Sequence, residues 1–250
     1  MKSWSPFIVE EVFAVNDFIP NKIIIHKVWG ETIITYEDVF KYPHKIKEYL
    51  LMCPAAGWKH IPGIGKNFVE YWECRHDHSL GKVFEYYKLL EKIFYLIYHS
   101  YVHLDQTIIS NMFQWKENPH QLKLPNYFGE QPHYDEDNGF GSVLSFNDET
   151  DITDNGIAFW KSKEQGIFKR KKDSDHLINV PGNIDDGSSY YNEHPEKYWE
   201  IPPGVMVHNF NKLVIFPGEI YHGAYFNKFN FTKYPRITIS TFLRERNNNE

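Results

Sequence analysis

Leu213-Val214-Ile215-Phe216-Pro217-Gly218, then Tyr221-His222-Gly223, then Tyr234-Pro235-Arg236-Ile237-Thr238-Ile239-Ser240 are the runs that decide the fold. The first and last are rich in β-branched residues, and Pro or Gly bounds each run, so they read as short strands joined by turns. His222 follows one of these turns, and Arg236 opens the last strand 14 residues later (236 − 222). Upstream, Gln131-Pro132-His133-Tyr134-Asp135 supplies a second His with a carboxylate two positions on. On a strand, positions i and i+2 share a face, so His133 and Asp135 are expected to point the same way. Two imidazoles and one carboxylate are the set that covers one face of a non-haem Fe(II) and leaves the opposite face open. The same parity puts Arg236, Thr238 and Ser240 on one face, with Ile237 and Ile239 on the other. A cation and two hydroxyls aimed into a barrel need a polar or anionic occupant. An arginine can hold a carboxylate there with two parallel hydrogen bonds.

The remaining composition sets limits. A length of 250 residues suits one large β domain or two small ones. Hydrophobic residues at 42% and charged residues at 24% are ordinary for a globular chain. Aromatics at 17%, with 17 Tyr and 19 Phe, favour strands and a core of large rings. A net charge of −6 gives no reason to expect nucleic acid as a partner. Two cysteines, Cys53 and Cys74, are too few for a disulfide framework and read as buried thiols in a reducing compartment. Met1-Lys2-Ser3-Trp4 lacks the apolar run of a signal peptide. The apolar stretch from Ile93 to Tyr101 is too short to span a membrane. The expectation is a cytoplasmic protein with no membrane contact. Asn230-Phe231-Thr232 fits a glycosylation sequon but has no meaning without a secretory route.

Along the chain, residues 22–36 read as a hairpin, with Gly30-Glu31 between two Ile/Thr runs. Residues 43–52 read as a helix with Pro43 in its first turn. Val83, Tyr87, Leu90, Phe94, Ile97 and Tyr101 form one face of a second helix, and such a stripe is core rather than a partner groove. From residue 108 the pattern changes to short strands: 108–115, 142–147, 157–160, 205–210, 213–216 and 236–243. That pattern predicts a mainly β fold with a jelly-roll core and N-terminal helices packed as support. The expected organisation is one domain, with 1–107 as support and 108–243 as core. Residues 161–204 are an insertion, too long for an ordinary connection, and read as a lid or substrate loop. Its basic run Phe168-Lys169-Arg170-Lys171-Lys172 is a solvated face rather than a binding patch.

Taken together, these runs resemble the 2-oxoglutarate and Fe(II)-dependent oxygenases, nearest the prolyl-hydroxylase-like branch. His133-Tyr134-Asp135 resembles that family's H-x-D strand. Gly141-Ser142-Val143-Leu144-Ser145-Phe146-Asn147-Asp148 resembles the strand after it. Asn155-Gly156-Ile157-Ala158-Phe159-Trp160 resembles the G-G-x-x-x-F segment, with Asn in place of the first Gly. The resemblance covers about residues 108–243. It implies a double-stranded β-helix with Fe(II) on His133, Asp135 and His222. It also implies 2-oxoglutarate on Arg236 with Thr238 and Ser240, and O₂ as the oxidant. Tyr127, Asn111 or Gln114 would line the cosubstrate end. The substrate would be a small molecule or a peptide side chain.

Plainer readings stand beside these. The chain has 13 His, and His103, His120, His194 and His208 have no partner at metal spacing. Asp137 rivals Asp135 as the carboxylate. Arg236 could pair with a local acid. Two other classes remain open: a barrel that binds without turnover, and a Zn²⁺ hydrolase on the same ligands. A hydrolase has no need of the Arg236 row.

Overall fold

In chain order the strands are β1 (Ile23–Val28), β2 (Glu31–Tyr36), β3 (Lys59–His60), β4 (Val69–Arg75), β5 (Val102–Gln114), β6 (Tyr127–Gly129) and β7 (Phe140–Ser145). They continue with β8 (Asn155–Phe159), β9 (Lys161–Ser162), β10 (Trp199–Glu200), β11 (Met206–Val207), β12 (Lys212–Pro217), β13 (His222–Asn227) and β14 (Arg236–Glu245). Among the described residues a 3₁₀ turn (Pro20–Lys22) and the α-helices α1 (Pro43–Met52) and α2 (Phe84–Tyr98) come before β5. The computed structural model describes residues 11–52, 59–60, 69–75, 84–114, 127–129, 134–135, 139–147, 155–163, 166–169, 199–200, 206–207, 210–227 and 236–245. His133, Cys53, Val83, Asp137, the sequon at 230–232, the tail after 245 and most of 161–204 lie outside the described residues.

The strands sort into an eight-stranded sheet, β1-β2-β12-β7-β14-β5-β4-β3, and a four-stranded sheet, β11-β8-β13-β6. Every ladder recorded in them is antiparallel. From β5 onward the chain switches between the sheets. β5, β7, β12 and β14 sit side by side in the large one, and β6, β8, β11 and β13 make up the small one. This interleaving is a jelly roll of the double-stranded β-helix kind, as the strand pattern predicts. The two sheets pack face to face. Phe159 of β8 meets Phe216 of β12 edge-on, with ring centroids 5.5 Å apart. Ile157, Phe159, Val214, Phe216, Ile33 and Val28 form one apolar cluster between the sheets.

Alternate residues of the large sheet turn the other way, as strand geometry requires. Ile34, Leu144, Leu213, Ile215, Ile237 and Ile239 join a second cluster with helix α2. On α2 the buried residues are Tyr86, Leu89, Leu90, Ile93 and Phe94, spaced i, i+3, i+4, i+7, i+8. Each fully buried large apolar side chain contributes roughly 1.5–3 kcal/mol, so packing rather than propensity holds this helix. The expected stripe is partly corrected. Leu90 and Phe94 are buried, and Tyr87 and Ile97 flank the buried face. Tyr101 is 54% exposed and lies beyond the helix end. His99 at φ +54° takes the chain out of the helix first.

The β1–β2 hairpin turns at Trp29-Gly30, one residue before the predicted place. Both residues have positive φ, +52° and +92°, and Val28 pairs with Glu31. That two-residue turn matches the twist of antiparallel strands. β5 begins at Val102, six residues before the predicted start at 108 (108 − 102). Of the insertion, β9 pairs with β10, Ser162 opposite Trp199 and Lys161 opposite Glu200. Among the described residues, no helix is long and apolar enough to cross a membrane.

Candidate metal centre

His222 is the first residue of β13, delivered by the turn that follows Pro217-Gly218. The same turn holds the Asp135 segment. The Asp135 amide donates to the Gly218 carbonyl at 3.0 Å, and the Gly218 amide donates to the Gly139 carbonyl at 3.2 Å. These bonds bring Asp135 Oδ2 to 3.5 Å from His222 Nε2, with the two side chains 12% and 6% exposed. His222 Nδ1 lies 2.7 Å from the Ile220 carbonyl oxygen. A carbonyl can only accept, so Nδ1 carries a hydrogen, and Nε2 faces the carboxylate either as a lone pair in the neutral ring or as a second N–H in the imidazolium. With a bare Nε2 the two acceptors face each other across 3.5 Å, an arrangement that a cation satisfies; with an imidazolium the pair is an ion pair. Metal-binding histidines fix their other N–H on a carbonyl or carboxylate in this way. A 3.5 Å gap is also within reach of two ligands on one ion, with bonds of about 2.0–2.2 Å. Among the described residues, these two side chains therefore fit two positions on one divalent cation.

Asp135 is expected on a strand and does not lie on one: Tyr134 and Asp135 belong to no strand. Their side chains still part as alternate residues do. Tyr134 packs edge-on against Tyr221 at 5.6 Å, whereas Asp135 meets His222. Tyr221 in turn touches Trp199 of β10 at 5.4 Å, in a cluster with Trp160. The residues flanking both site side chains thus lean on the base of the insertion. His133 lies outside the described residues, and among those described no three His, Cys, Asp or Glu side chains form a metal-holding group.

Arg236 and Thr238 are buried and Ser240 is half-buried. Ile237 and Ile239 face α2, so Arg236, Thr238 and Ser240 face the small sheet, as their parity predicts. Ser240 stands opposite Val143, which packs against the cluster between the sheets. Thr238 stands opposite Ser145, which is fully buried. Asn147 Oδ1 accepts the Ile237 amide at 2.9 Å and so fixes the start of β14. The interior beside Arg236 is therefore polar, and the interior beside Phe216 is apolar. Arg236 sits six residues along β14 from Phe242, the partner of Gly141 (242 − 236). At about 3.3 Å per residue that is roughly 20 Å from the level of Asp135. Tyr127 lies on β6 opposite Asn227, at the other end of β13 from His222. Asn111 takes the register position opposite Ile237, and Gln114 the one opposite Val69.

Gly141 and Phe216, which stand out in the sequence only as parts of motifs, both border the pair. The Phe216 ring lies 4.5 Å from the His222 ring. A Cβ on Gly141 would fall 3.1 Å from Asp135 Oδ2. The available signal is a glycine inside a central strand, which marks a close approach.

No family model and no curated protein matches the chain. Among solved structures it is similar to the non-heme alpha ketoglutarate dependent carbocyclase SnoK from nogalamycin biosynthesis. Identity is 9% over 85% of this chain and 79% of that one, with a TM-score of 0.47. It is similar to the alpha ketoglutarate dependent epimerase SnoN of the same biosynthesis, at 13% identity over 85% and 77%, with a TM-score of 0.47. A Pseudomonas putida prolyl-4-hydroxylase matches at 9% identity over 82% and 84%, with a TM-score of 0.38. The strand order itself, not these likenesses, carries the fold.

Proposed function

We propose that the protein is a 2-oxoglutarate-dependent Fe(II) oxygenase. It would hydroxylate a peptide side chain or a small amino-acid-like substrate. The observation that carries this reading is the His222–Asp135 pair, its Nε2 and Oδ2 3.5 Å apart and Nδ1 anchored on Ile220. His133 is one peptide bond from Tyr134 and completes the ligand set in this proposal. Fe(II), when bound, supplies O₂ activation coupled to decarboxylation of 2-oxoglutarate to succinate and CO₂.

The remaining work falls to this chain's side chains. Arg236 gives the far carboxylate of the cosubstrate two charge-assisted hydrogen bonds, with Thr238 or Ser240 adding a hydroxyl. Phe216, Phe159 and Val214 keep the wall beside the ligands dry, which strengthens every electrostatic contact inside. The buried Arg236, Thr238 and Ser145 row favours this reading over a hydrolase on the same ligands.

The same pair could also satisfy itself as an imidazolium with a carboxylate, and the test separates the two. The protein is incubated with Fe(II), O₂ and 2-oxoglutarate, and succinate is followed with and without candidate peptides and amino acids. Anaerobic Fe(II) titration is run in parallel. Metal binding with 2-oxoglutarate-dependent succinate formation is the expected result. A protein that takes up no Fe(II) at neutral pH sinks the proposal and leaves the ion pair.

A further inference from the structure

We infer that Gly141 and Phe216 act together as a positioning pair that sets where His222 and Asp135 present their metal-binding atoms. This rests on the metal reading proposed above. Gly141 lies inside β7, a strand hydrogen-bonded on both sides, to β12 and to β14. A glycine there weakens a strand. Its φ is not among the positive ones, so no unusual backbone conformation demands it. What demands it is space. A Cβ at this position would lie 2.7 and 2.8 Å from Cε2 and Cζ of Phe216, and 3.1 Å from Asp135 Oδ2.

Contacts between carbon atoms are comfortable at about 3.5–4.0 Å, so an added methyl must push the ring aside. The ring has nowhere free to go. Phe216 is buried, with Phe159 edge-on at 5.5 Å and the His222 imidazole at 4.5 Å, tilted by 55°. A shift of the ring therefore reaches His222. The same methyl presses directly on the Asp135 carboxylate, whose Oδ2 is the atom 3.5 Å from His222 Nε2. One missing side chain thus leaves room both for the ring behind His222 and for the Asp135 carboxylate. Neither residue of this pair carries a side-chain atom that could ligate a metal. Each acts through the ligands.

The test is a double-mutant cycle read by Co(II), a metal whose visible bands report coordination geometry. Wild type, Gly141→Ala, Phe216→Leu and the double variant are titrated with Co(II), and each is melted without metal. Gly141→Ala is expected to weaken Co(II) binding by about 10- to 100-fold, as loss of support behind a ligand does, and to shift the bands. In the Phe216→Leu background the same glycine change should cost little more, because the ring it displaces has gone. Equal costs in both backgrounds, or wild-type affinity and bands in Gly141→Ala, overturn the pairing. If Gly141→Ala does not fold, Phe216→Leu decides alone, and bands unchanged from wild type then refute the role. If wild type itself binds no Co(II), the metal reading has failed and the pair falls with it.

Discussion

At the scale of single residues, the site is a matter of which atoms carry hydrogens and charge. His222→Ala removes the Nε2 proposed as a metal ligand but leaves β13 paired to β8 through its backbone, with residue 222 opposite Phe159. Circular dichroism should stay that of the wild type, while Fe(II) affinity by anaerobic titration falls below detection. Loss of fold with no selective loss of metal would make His222 a structural residue. Arg236→Ala tests the other end. Two charge-assisted hydrogen bonds at roughly 1.5–3 kcal/mol each correspond to about two to four decades of affinity. That loss is expected in 2-oxoglutarate titrations followed by the metal-to-ligand charge-transfer band. Fe(II) affinity should hardly change, and an unaltered cosubstrate affinity would falsify the clamp. Much of this is readable in the sequence, because parity along β14 separates Arg236 and Thr238 from Ile237 and Ile239. Asp135 lies beside His222, as the proposed ligand set requires, although Tyr134 and Asp135 themselves belong to no strand. Phe216 is hidden from sequence because an apolar residue near a Pro-Gly turn looks like any core residue. Its contact with His222 exists only once β12 and β13 have folded together.

At the scale of elements, α2 and the β9–β10 ribbon make separate predictions. Burial pushes the Tyr86 hydroxyl up to about 12, opposed by the nearby hydroxyls of Thr241 and Ser142. Those groups are close, yet none of the three makes a hydrogen bond of good geometry. Burial, then Glu31 and Glu245, also push Tyr98 up to about 12. Both folded values lie above the unfolded value near 10, so the folded state holds these protons more tightly. Their contribution to stability is complete below pH 10 and drains away between about pH 10 and 12. Urea midpoints across that range should fall for wild type and fall less for Tyr86→Phe, and parallel curves would deny Tyr86 the role. In the ribbon, Trp199 is 2% exposed and leans on Tyr221, the neighbour of His222. Trp199→Ala should speed hydrogen exchange at the Ser162 amide, which donates to the Ile167 carbonyl at 2.8 Å. Exchange at Ile215, inside the large sheet, should stay slow. If Ser162 is equally protected in both proteins, Trp199 does not pin the ribbon. The helices are legible from sequence because their period is local. The face α2 buries is less so, since Tyr86, Leu89 and Ile93 are as apolar as the residues of the predicted stripe. Only the sheet beneath decides between them.

At the scale of the whole molecule, composition and turn spacing announce a jelly roll, but they cannot announce the register between distant strands. Tyr36 pairs with Leu213, 177 positions away (213 − 36), and nothing local in either run says so. The strand order has a further consequence, for how the chain is born. β14 comes last among the described strands, yet it lies in the middle of the large sheet, between β7 and β5. Until it emerges from the ribosome, its two future neighbours each carry an open edge of unpaired amides and carbonyls. Such a nascent chain is a template for pairing with another copy, and its many distant contacts make closure slow. A chain stopped after Pro235 should therefore sediment as aggregates rather than as a monomer, whereas a soluble monomer would mean that β5 and β7 close on each other unaided. Adding β14 back as a separate peptide should rescue solubility if the gap is the cause. The polar row of Arg236, Thr238 and Ser240 travels on that closing strand, so the face proposed to hold the cosubstrate is absent from any half-made form of the protein.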